Sequence, residues 1–194
     1  NDYEYLPNGT NQWNSMKYKA KLKNMSEILS KLSTDKLPMG PAIIGVSEIE
    51  NYRVLEDILK QPALIDRNYK YIHYEGEDRR GVDCAFFYNP KLFELSNSKL
   101  VPYVYINDTV HKTRGFLIAS GYIAGEKMHF IVNHWPSRAA ASAARERAGE
   151  QVRAIKDSLL REDSAAKVVI MGDMNDDPMD KSMAVALGAK RKPA

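Results

Sequence analysis

Apolar side chains recur every three or four residues in three stretches of the chain, which predicts helices with one buried face. Asn14 and Ser15 stand before the first stretch and Asn51 opens the second, and all three are residue types that cap helix N-termini. A shorter fourth helix is predicted to stop at Gly188, because glycine commonly ends helices. The predicted helices cover residues 15–33, 51–60, 138–161 and 180–187.

Short apolar runs between turn residues predict the strands. AIIGV (42–46) and KVVIMG (167–172) are apolar throughout, a pattern typical of strands that are buried on both faces. The other segments are rich in β-branched and aromatic residues, with turns at Asn107-Asp108 and Gly125-Glu126. These strands are predicted at 69–74, 83–88, 99–106, 114–124 and 127–133. The order of elements predicts a mixed α/β domain without regular βαβ alternation.

Length and composition narrow the class of protein. The 194 residues are 44% hydrophobic and 27% charged, which predicts one globular domain over 1–194 with a sizeable core. No apolar run of about 18 residues occurs, so no membrane span is predicted. The net charge of +3, from 28 basic and 25 acidic residues, permits a polyanionic substrate without requiring one. Residues 1–13 are polar and do not form a signal peptide, which leaves the localisation open.

The chain contains a single cysteine, Cys84. One cysteine excludes an internal disulfide and a zinc site built from several cysteines. Because Cys84 lies in the apolar run CAFFY, it is predicted to be a buried structural thiol rather than a nucleophile.

Polar residues concentrate where the apolar strands end. Glu48 follows AIIGV, His134 follows HFIVN, and Asp173 and Asn175 follow KVVIMG. Ligands bind at the C-terminal ends of the strands in open α/β sheets. Acid, imidazole and amide groups at one rim therefore predict a hydrolytic or metal site.

Each of these segments also has a structural interpretation. GDMNDDP (172–178) is as typical of an Asp/Asn-rich turn as of a site. It does not fit a calcium loop, since Pro178 stands where the turn needs glycine and Ala184 where a bidentate glutamate is needed. The Glu48 carboxylate suits a hard cation such as Mg²⁺, and equally suits the dipole of the helix that follows. A lone histidine at a strand end, such as His134, is commonly structural.

The residues after His134 shift this balance towards a site. Ser137 and Arg138 place a hydroxyl and a guanidinium at the start of the long helix. A helix N-terminus with an arginine beside it favours anions, and phosphate is the natural ligand.

Four segments in this order resemble the endonuclease/exonuclease/phosphatase superfamily of DNase I-like proteins. They are GVSEIEN (45–51), RRGVDCAFFYNP (79–90), NHWPSR (133–138) and GDMNDDP (172–178). Each segment alone is a weak signal, but four in register are specific, and the resemblance spans about residues 14–180. It implies a four-layer α/β sandwich, in which two mixed β-sheets pack face to face between outer helices.

The resemblance also implies roles for individual residues. Glu48 resembles the family's acidic metal ligand, for Mg²⁺ or Mn²⁺. His134 resembles the histidine that contacts the scissile phosphate and protonates the leaving oxygen, and Asp83 resembles the acidic partner that orients it. Asp173 resembles the aspartate that positions or deprotonates the attacking water, and Asn175 the asparagine that holds the phosphate.

Arg80, Arg138 and Ser137 are weaker candidates for contacts to the phosphate, since exposed loop arginines are often only solvated. The sequence departs from the family at both ends, because neither the opening strand with its asparagine nor the closing strand with its Asp-His pair is present. We therefore expect a domain that lacks a strand at each end, and a chain that is weakly active or inactive alone although its parent is a hydrolase.

The leading prediction is a metal-dependent phosphoesterase, most specifically a phosphodiesterase or nuclease that acts on a phosphate ester, with nucleic acid as a candidate substrate. The alternatives are a non-catalytic phosphate-binding or interaction module, and a lipid or inositol phosphatase or sphingomyelinase-type enzyme. Tyr103, Tyr105 and Trp135 have two interpretations, as base-stacking residues or as packing residues. No protein partner is evident from the sequence.

Overall fold

The strands form two sheets in the computed structural model, which describes residues 3–106 and 110–190. The first sheet is antiparallel, with the order β1-β3-β2, and the second has the order β4-β5-β6-β7, in which only β6 and β7 are parallel. The first sheet contains β1 (Ile43–Ile49), β2 (Lys70–His73) and β3 (Asp83–Tyr88). The second contains β4 (Glu94–Val101), β5 (Phe116–Ile123), β6 (Glu126–His134) and β7 (Lys167–Asp173).

Helices cover the sheets, namely α1 (Ser15–Ser30), α2 (Tyr52–Leu59) and α3 (Ser142–Glu162). Short 3₁₀ turns span Tyr3–Tyr5 and Ile65–Arg67, and a π-helical turn spans Ser182–Leu187. The predicted caps are confirmed, since Asn14 and Asn51 each accept hydrogen bonds from two backbone N–H groups of the helix that follows. Gly188 ends the π-helical turn with φ 76°.

Buried side chains form three clusters, which separate four layers. One cluster joins α1 and α2 to the first sheet through residues such as Leu22, Leu55 and Phe87. A second lies between the sheets and includes Phe86 and Phe130. A third joins the second sheet to α3, and includes Ile131, Val152 and Trp135. The predicted four-layer α/β sandwich is therefore confirmed.

The fourth strand lies earlier in the chain than the predicted range 99–106. It covers 94–101 and ends directly before Pro102, which has no N–H to continue the ladder. Tyr103 instead packs under α3, where its hydroxyl donates to Ala144 O at 2.9 Å. Tyr103 and Trp135 are buried, so their packing interpretation is confirmed. The predicted turn at Asn107-Asp108 lies outside the described residues.

The prediction that β1 and β7 are buried on both faces is wrong. Most of their residues are half-buried, and each strand has one hydrogen-bonded neighbour within the described residues. An apolar run therefore did not distinguish an edge strand from a central one. The prediction for Cys84 is confirmed, because this thiol is buried between the sheets and burial raises its pKa to about 12. None of the helices described in 3–106 and 110–190 is long and apolar enough to cross a membrane.

Candidate functional site

The parallel strands β6 and β7 bring two predicted site residues to one edge of the second sheet. His134 and Asp173, the last residue of each strand, are partners in the register, and Trp135 N donates to Asp173 O at 2.9 Å. The strands approach closely just before this point, where Gly172 has φ 124°. A Cβ at residue 172 would lie 2.1 Å from Asn133 O, so this position requires glycine.

The turn after β7 adds Asn175 to the site. Asp173 Oδ1 accepts a hydrogen bond from Asn175 N at 2.9 Å, and Asn175 has a left-handed φ of 53°, which asparagine tolerates. Asn175 Nδ2 donates to Trp135 O at 3.0 Å. These bonds join the segments that follow β6 and β7, and leave the Asp173 carboxylate exposed.

Glu48 reaches the site from the first sheet through a β-bulge. Val46 pairs with Ala85 and Ile49 pairs with Asp83, so two residues of β1 stand opposite Cys84 alone. Glu48 lies in the bulge with φ 60°, a conformation that glutamate rarely adopts. The sequence predicted that Glu48 follows the strand, whereas it lies within β1. Bulges redirect side chains and occur frequently beside active sites.

The Glu48 and His134 side chains meet between the two sheets. Glu48 Oε1 lies 3.4 Å from His134 Nδ1 and accepts a hydrogen bond from Arg80 Nη2 at 3.3 Å. The imidazole is buried, whereas the Glu48 side chain is 51% exposed. Burial, followed by the nearby Arg114 charge, lowers the pKa of His134 below its usual 6.5, although Glu48 and Asp173 oppose this shift. The ring is therefore neutral at pH 7.

Asp83 does not contact His134. Its Oδ2 lies 3.5 Å from His73 Nε2, and its Oδ1 accepts a hydrogen bond from Gly76 N at 3.1 Å. Asp83 pairs with Ile49, which packs among the α1 and α2 residues, and cross-strand partners share one face of a sheet. The expected contact between Asp83 and His134 is thus corrected, because Glu48 is the carboxylate beside His134.

Arg138 joins the segments that follow β6 and β7. Its Nε donates to Asn175 O at 3.1 Å and its Nη2 to Asp177 Oδ2 at 3.0 Å. The hydrogen bond to Asp177 raises the pKa of Arg138. Ser137 is exposed, and its carbonyl accepts a hydrogen bond from Arg145 Nη1 at 2.9 Å. Arg138 therefore has partners within the chain and remains more than half exposed.

A second arginine, Arg145, contacts both of the segments that follow β6 and β7. Arg145 Nε lies 2.7 Å from Asp176 Oδ1, and both side chains are buried. Burial raises the pKa of Asp176, but the hydrogen bond from Ser182 and the adjacent Arg145 guanidinium outweigh burial, so the pKa is lowered overall. A polar cavity of about 500 Å³ opens here between α3 and the π-helical turn, and Arg138 and Lys181 are among its lining residues.

Sequence reasoning missed Arg114 and Asp78. Arg114 is buried and donates to the backbone carbonyls of His134 and Trp135 and to Asp78. In the sequence, Arg114 is one basic residue before an apolar strand and Asp78 is one acid in the charged run EGEDRRG. Their burial depends on the tertiary structure, and no local pattern signals it.

The donor groups suit a hard divalent ion but do not enclose one. No three His, Cys, Asp or Glu side chains are grouped to hold a metal in the part of the chain that the structure describes. Mg²⁺ commonly binds one or two carboxylates and takes its other ligands from water and substrate phosphate. Glu48 Oε2 accepts no hydrogen bond from a described residue, and Asp173 is exposed beside the same histidine. The residues present therefore fit such an ion.

The protein is a four-layer α/β sandwich. Acid, imidazole and amide groups form a polar site at the ends of its strands. The model of the Endonuclease/Exonuclease/phosphatase family matches residues 1–194, and the chain belongs to this family. The family resemblance seen in the sequence is confirmed. No curated protein gives a significant match.

Solved structures share the fold at low sequence identity. TDP2 from D. rerio, complexed with a single strand DNA product, has a TM-score of 0.62 and 16% identity, covering 91% of this chain and 60% of that chain. The human Nocturnin catalytic domain with bound sulfate anion has a TM-score of 0.66 and 18% identity, covering 89% and 62%. ANGEL2, a 2',3'-cyclic phosphatase, has a TM-score of 0.66 and 13% identity, covering 84% and 46%. The chain thus spans between 46% and 62% of the length of these structures.

Proposed function

We propose that this domain is a divalent-metal-dependent phosphoesterase that hydrolyses a P–O bond by in-line attack of water. The observation that carries the proposal is the convergence of Glu48, His134, Asp173 and Asn175 at one rim. Their positions come from different elements of both sheets, and side chains of this kind stabilise, protonate and orient a reacting phosphoryl group. Family membership supports the same reaction class.

Glu48 would hold Mg²⁺ or Mn²⁺, with Asp173 as the other nearby carboxylate. When bound, such an ion acts as a Lewis acid and lowers the pKa of a water ligand. The left-handed backbone of Glu48 and the bond from Arg80 fix its carboxylate before any ligand arrives. A site held in this way loses little freedom on binding.

His134 and Asp173 would handle the two protons of the reaction. With Nδ1 directed towards Glu48, Nε2 of His134 is the nitrogen that faces the substrate. A bound phosphate favours the imidazolium, which then donates its Nε2 proton to the leaving oxygen. The exposed Asp173 carboxylate accepts the proton of the attacking water. Asn175 uses one N–H for Trp135 O and has a second for a phosphate oxygen.

Arg80, Arg138 and Ser137 are proposed as further phosphate contacts. Arg138 would exchange its carboxylate partner Asp177 for a phosphate oxygen, which binds a guanidinium group in the same way. Arg80 would contact the phosphate while it keeps its bond to Glu48, since a guanidinium carries five N–H donors. Asp83 is proposed to act indirectly. Its carboxylate accepts a hydrogen bond from Gly76 N and so helps to hold the loop that carries Arg80. Arg138→Gln would raise KM more than it lowers kcat, whereas Arg80→Gln would also lower kcat, because Arg80 donates to Glu48.

The substrate is proposed to be a phosphodiester of the nuclease type. TDP2 with its single strand DNA product and ANGEL2 as a 2',3'-cyclic phosphatase support a nucleic acid phosphoester. The exposed Asp173 and half-exposed Glu48 also leave the rim open to a polymer. A screen of DNA, RNA, sphingomyelin and inositol phosphates would separate the nuclease from the lipid and inositol alternatives.

The first experiment measures cleavage of bis-(p-nitrophenyl) phosphate with Mg²⁺, with Mn²⁺ and with EDTA. Asp173→Ala is expected to lower turnover by about 10²–10⁴-fold, since it removes a general base. Asp157→Ala is the matched control, because Asp157 lies on the surface of α3 and pairs with Lys156. Turnover that survives both EDTA and Asp173→Ala would contradict the proposed reaction, and the absence of metal-dependent turnover, also in a version of the protein extended at both ends, would favour the non-catalytic module.

The prediction of further strands at both ends stays a prediction. We expect the 194-residue chain to cleave the diester more slowly than a version of the protein extended at both ends. Equal rates would overturn this expectation.

A further inference from the structure

Arg114 contacts the backbone of two residues at the site, His134 and Trp135, and not their side chains. It lies just before β5, is 8% exposed, and uses all three guanidinium nitrogens. Nε donates to His134 O at 3.3 Å, and Nη2 donates to Trp135 O at 3.1 Å. The planar guanidinium fork suits two successive carbonyls, whereas a lysine ammonium would offer one nitrogen.

The third nitrogen connects Arg114 to the loop between β2 and β3. Nη1 donates to Asp78 Oδ2 at 2.8 Å, and the Asp78 side chain is only 6% exposed. Asp78 Oδ1 accepts a hydrogen bond from the backbone N–H of Arg80 at 2.9 Å and lies 3.7 Å from Arg80 Nε. Asp78 thus holds both the backbone and the side chain of Arg80.

Arg80 completes the connection to the front of the site, because its Nη2 donates to Glu48 Oε1, the atom that lies beside His134 Nδ1. These contacts therefore form a closed series that links the backbone of His134 to its own side chain. This contact circuit consists of His134 O, Arg114, Asp78, Arg80, Glu48 and His134 Nδ1.

We propose that Arg114 and Asp78 are positioning residues that set the Glu48 carboxylate against the His134 imidazole through this contact circuit. Glu48 belongs to the first sheet and His134 to the second, and the circuit links them through the loop that carries Arg80. The inference rests on the proposed function, because it assigns these residues to the same site. Neither residue contacts the reacting atoms, so their effect passes through Glu48 and His134.

Three variants test the circuit. Arg114→Met removes the fork, Arg114→Lys keeps the charge without the fork, and Asp78→Asn keeps the size without the charge. Arg67→Met is the matched control, since Arg67 Nη2 donates to a backbone carbonyl, Ser30 O at 2.6 Å, in the outer layer. Melting curves establish which variants fold.

Two measurements distinguish an effect on the position of the His134 imidazole from an effect on the rate of the reaction. Long-range ¹⁵N–¹H spectra resolve the four histidines of the chain, and the His134 signals are expected to shift in the Arg114 and Asp78 variants. In the protein extended at both ends, kcat for the diester is expected to fall by about 10²-fold with little change in KM, as misplaced catalytic groups produce. Arg67→Met is expected to change neither, and Arg114→Lys is expected not to restore kcat.

Unchanged His134 signals in folded Arg114→Met and Asp78→Asn proteins would overturn the inference, as would shifted signals with an unchanged kcat. If Arg114→Met does not fold, Asp78→Asn decides by the same spectra. If the unsubstituted protein cleaves no phosphoester, the proposed function fails, and the spectra still test the circuit.

Discussion

Glu48 and Asn175 both hold a left-handed backbone at the site, with φ of 60° and 53°. Asparagine accepts this region at little cost, whereas glutamate does not. The strain at Glu48 is maintained by the β-bulge around it and by its contacts to Arg80 and His134. Strain of this kind clusters where a side chain must be held for function.

The strain predicts that Glu48→Gly is more stable than Glu48→Gln, by about 1 kcal/mol in the free energy of unfolding. Both substitutions remove the carboxylate, but only glycine adopts the left-handed region freely. Urea unfolding of the two variants at one pH measures the difference, and both are expected to lose phosphodiester turnover. A glycine variant that is less stable than the glutamine variant would contradict the argument.

At the level of elements, the β6–β7 pair decides where His134 and Asp173 meet. The parallel register places them side by side only because Gly172 allows the strands to approach at Asn133. The segments after both strands are then joined by Asn175, Arg138 and the backbone of Trp135. The site therefore depends on one strand pair more than on the two sheets as a whole.

Gly172→Ala is predicted to lower the free energy of unfolding by about 2–5 kcal/mol, from the unfavourable φ and the contact with Asn133 O. Gly125→Ala is the control, because Gly125 also has a positive φ, 82°, but no atom lies within 4 Å of its Cβ position. That control is expected to cost about 1–2 kcal/mol. Equal losses in chemical denaturation would show that the close approach at residue 172 is unimportant.

The elements whose pattern depends on local sequence could be predicted. Asn14, Asn51 and Gly188 mark helix ends because capping and left-handed termini are local properties. The ends of the fourth strand could not be predicted. Tyr103 and Tyr105 are residue types that favour strands, but they pack under α3 and against each other. Within the described residues β1 and β7 lie at sheet edges, which follows from the pairing of distant segments and is not encoded by apolar content.

The candidate site divides in the same way. Residues that stand at strand ends could be located from the sequence, and the structure brings Glu48, His134, Asp173 and Asn175 together. The carboxylate partner of His134 could not be predicted from the sequence. The β-bulge in β1 places Glu48 beside His134, where Asp83 was expected. Arg114 acts through backbone carbonyls that only the folded chain places beside it.

Burial of His129 and His134 makes the free energy of unfolding of the protein depend on pH. Burial is the largest cause that lowers the pKa of His129 and of His134 below 6.5, so the unfolded chain takes up protons at these two residues at a higher pH than the folded protein does. A lowered folded pKa contributes stability that is complete above the unfolded pKa. It is lost as the pH falls from there through the folded pKa.

We therefore predict a lower free energy of unfolding at about pH 5.5 than at about pH 7.5, with lowered aspartate pKa values adding losses only under more acidic conditions. His129→Gln should reduce the difference between the two pH values, since it removes one of the two groups. Its loss of the bond to Ser120 affects both pH values alike. Urea unfolding at both pH values checks the sign, and a stability that rises on acidification would contradict it.

The proposed reaction requires Glu48 and Asp173 to belong to one catalytic unit. Diester turnover of Glu48→Gln, Asp173→Asn and the double variant, in the protein extended at both ends, tests this most directly. Residues that act as a unit are strongly non-additive, so the double variant should lose about as much kcat as the worse single variant. Losses that multiply, or single variants that keep full turnover, would contradict a shared site.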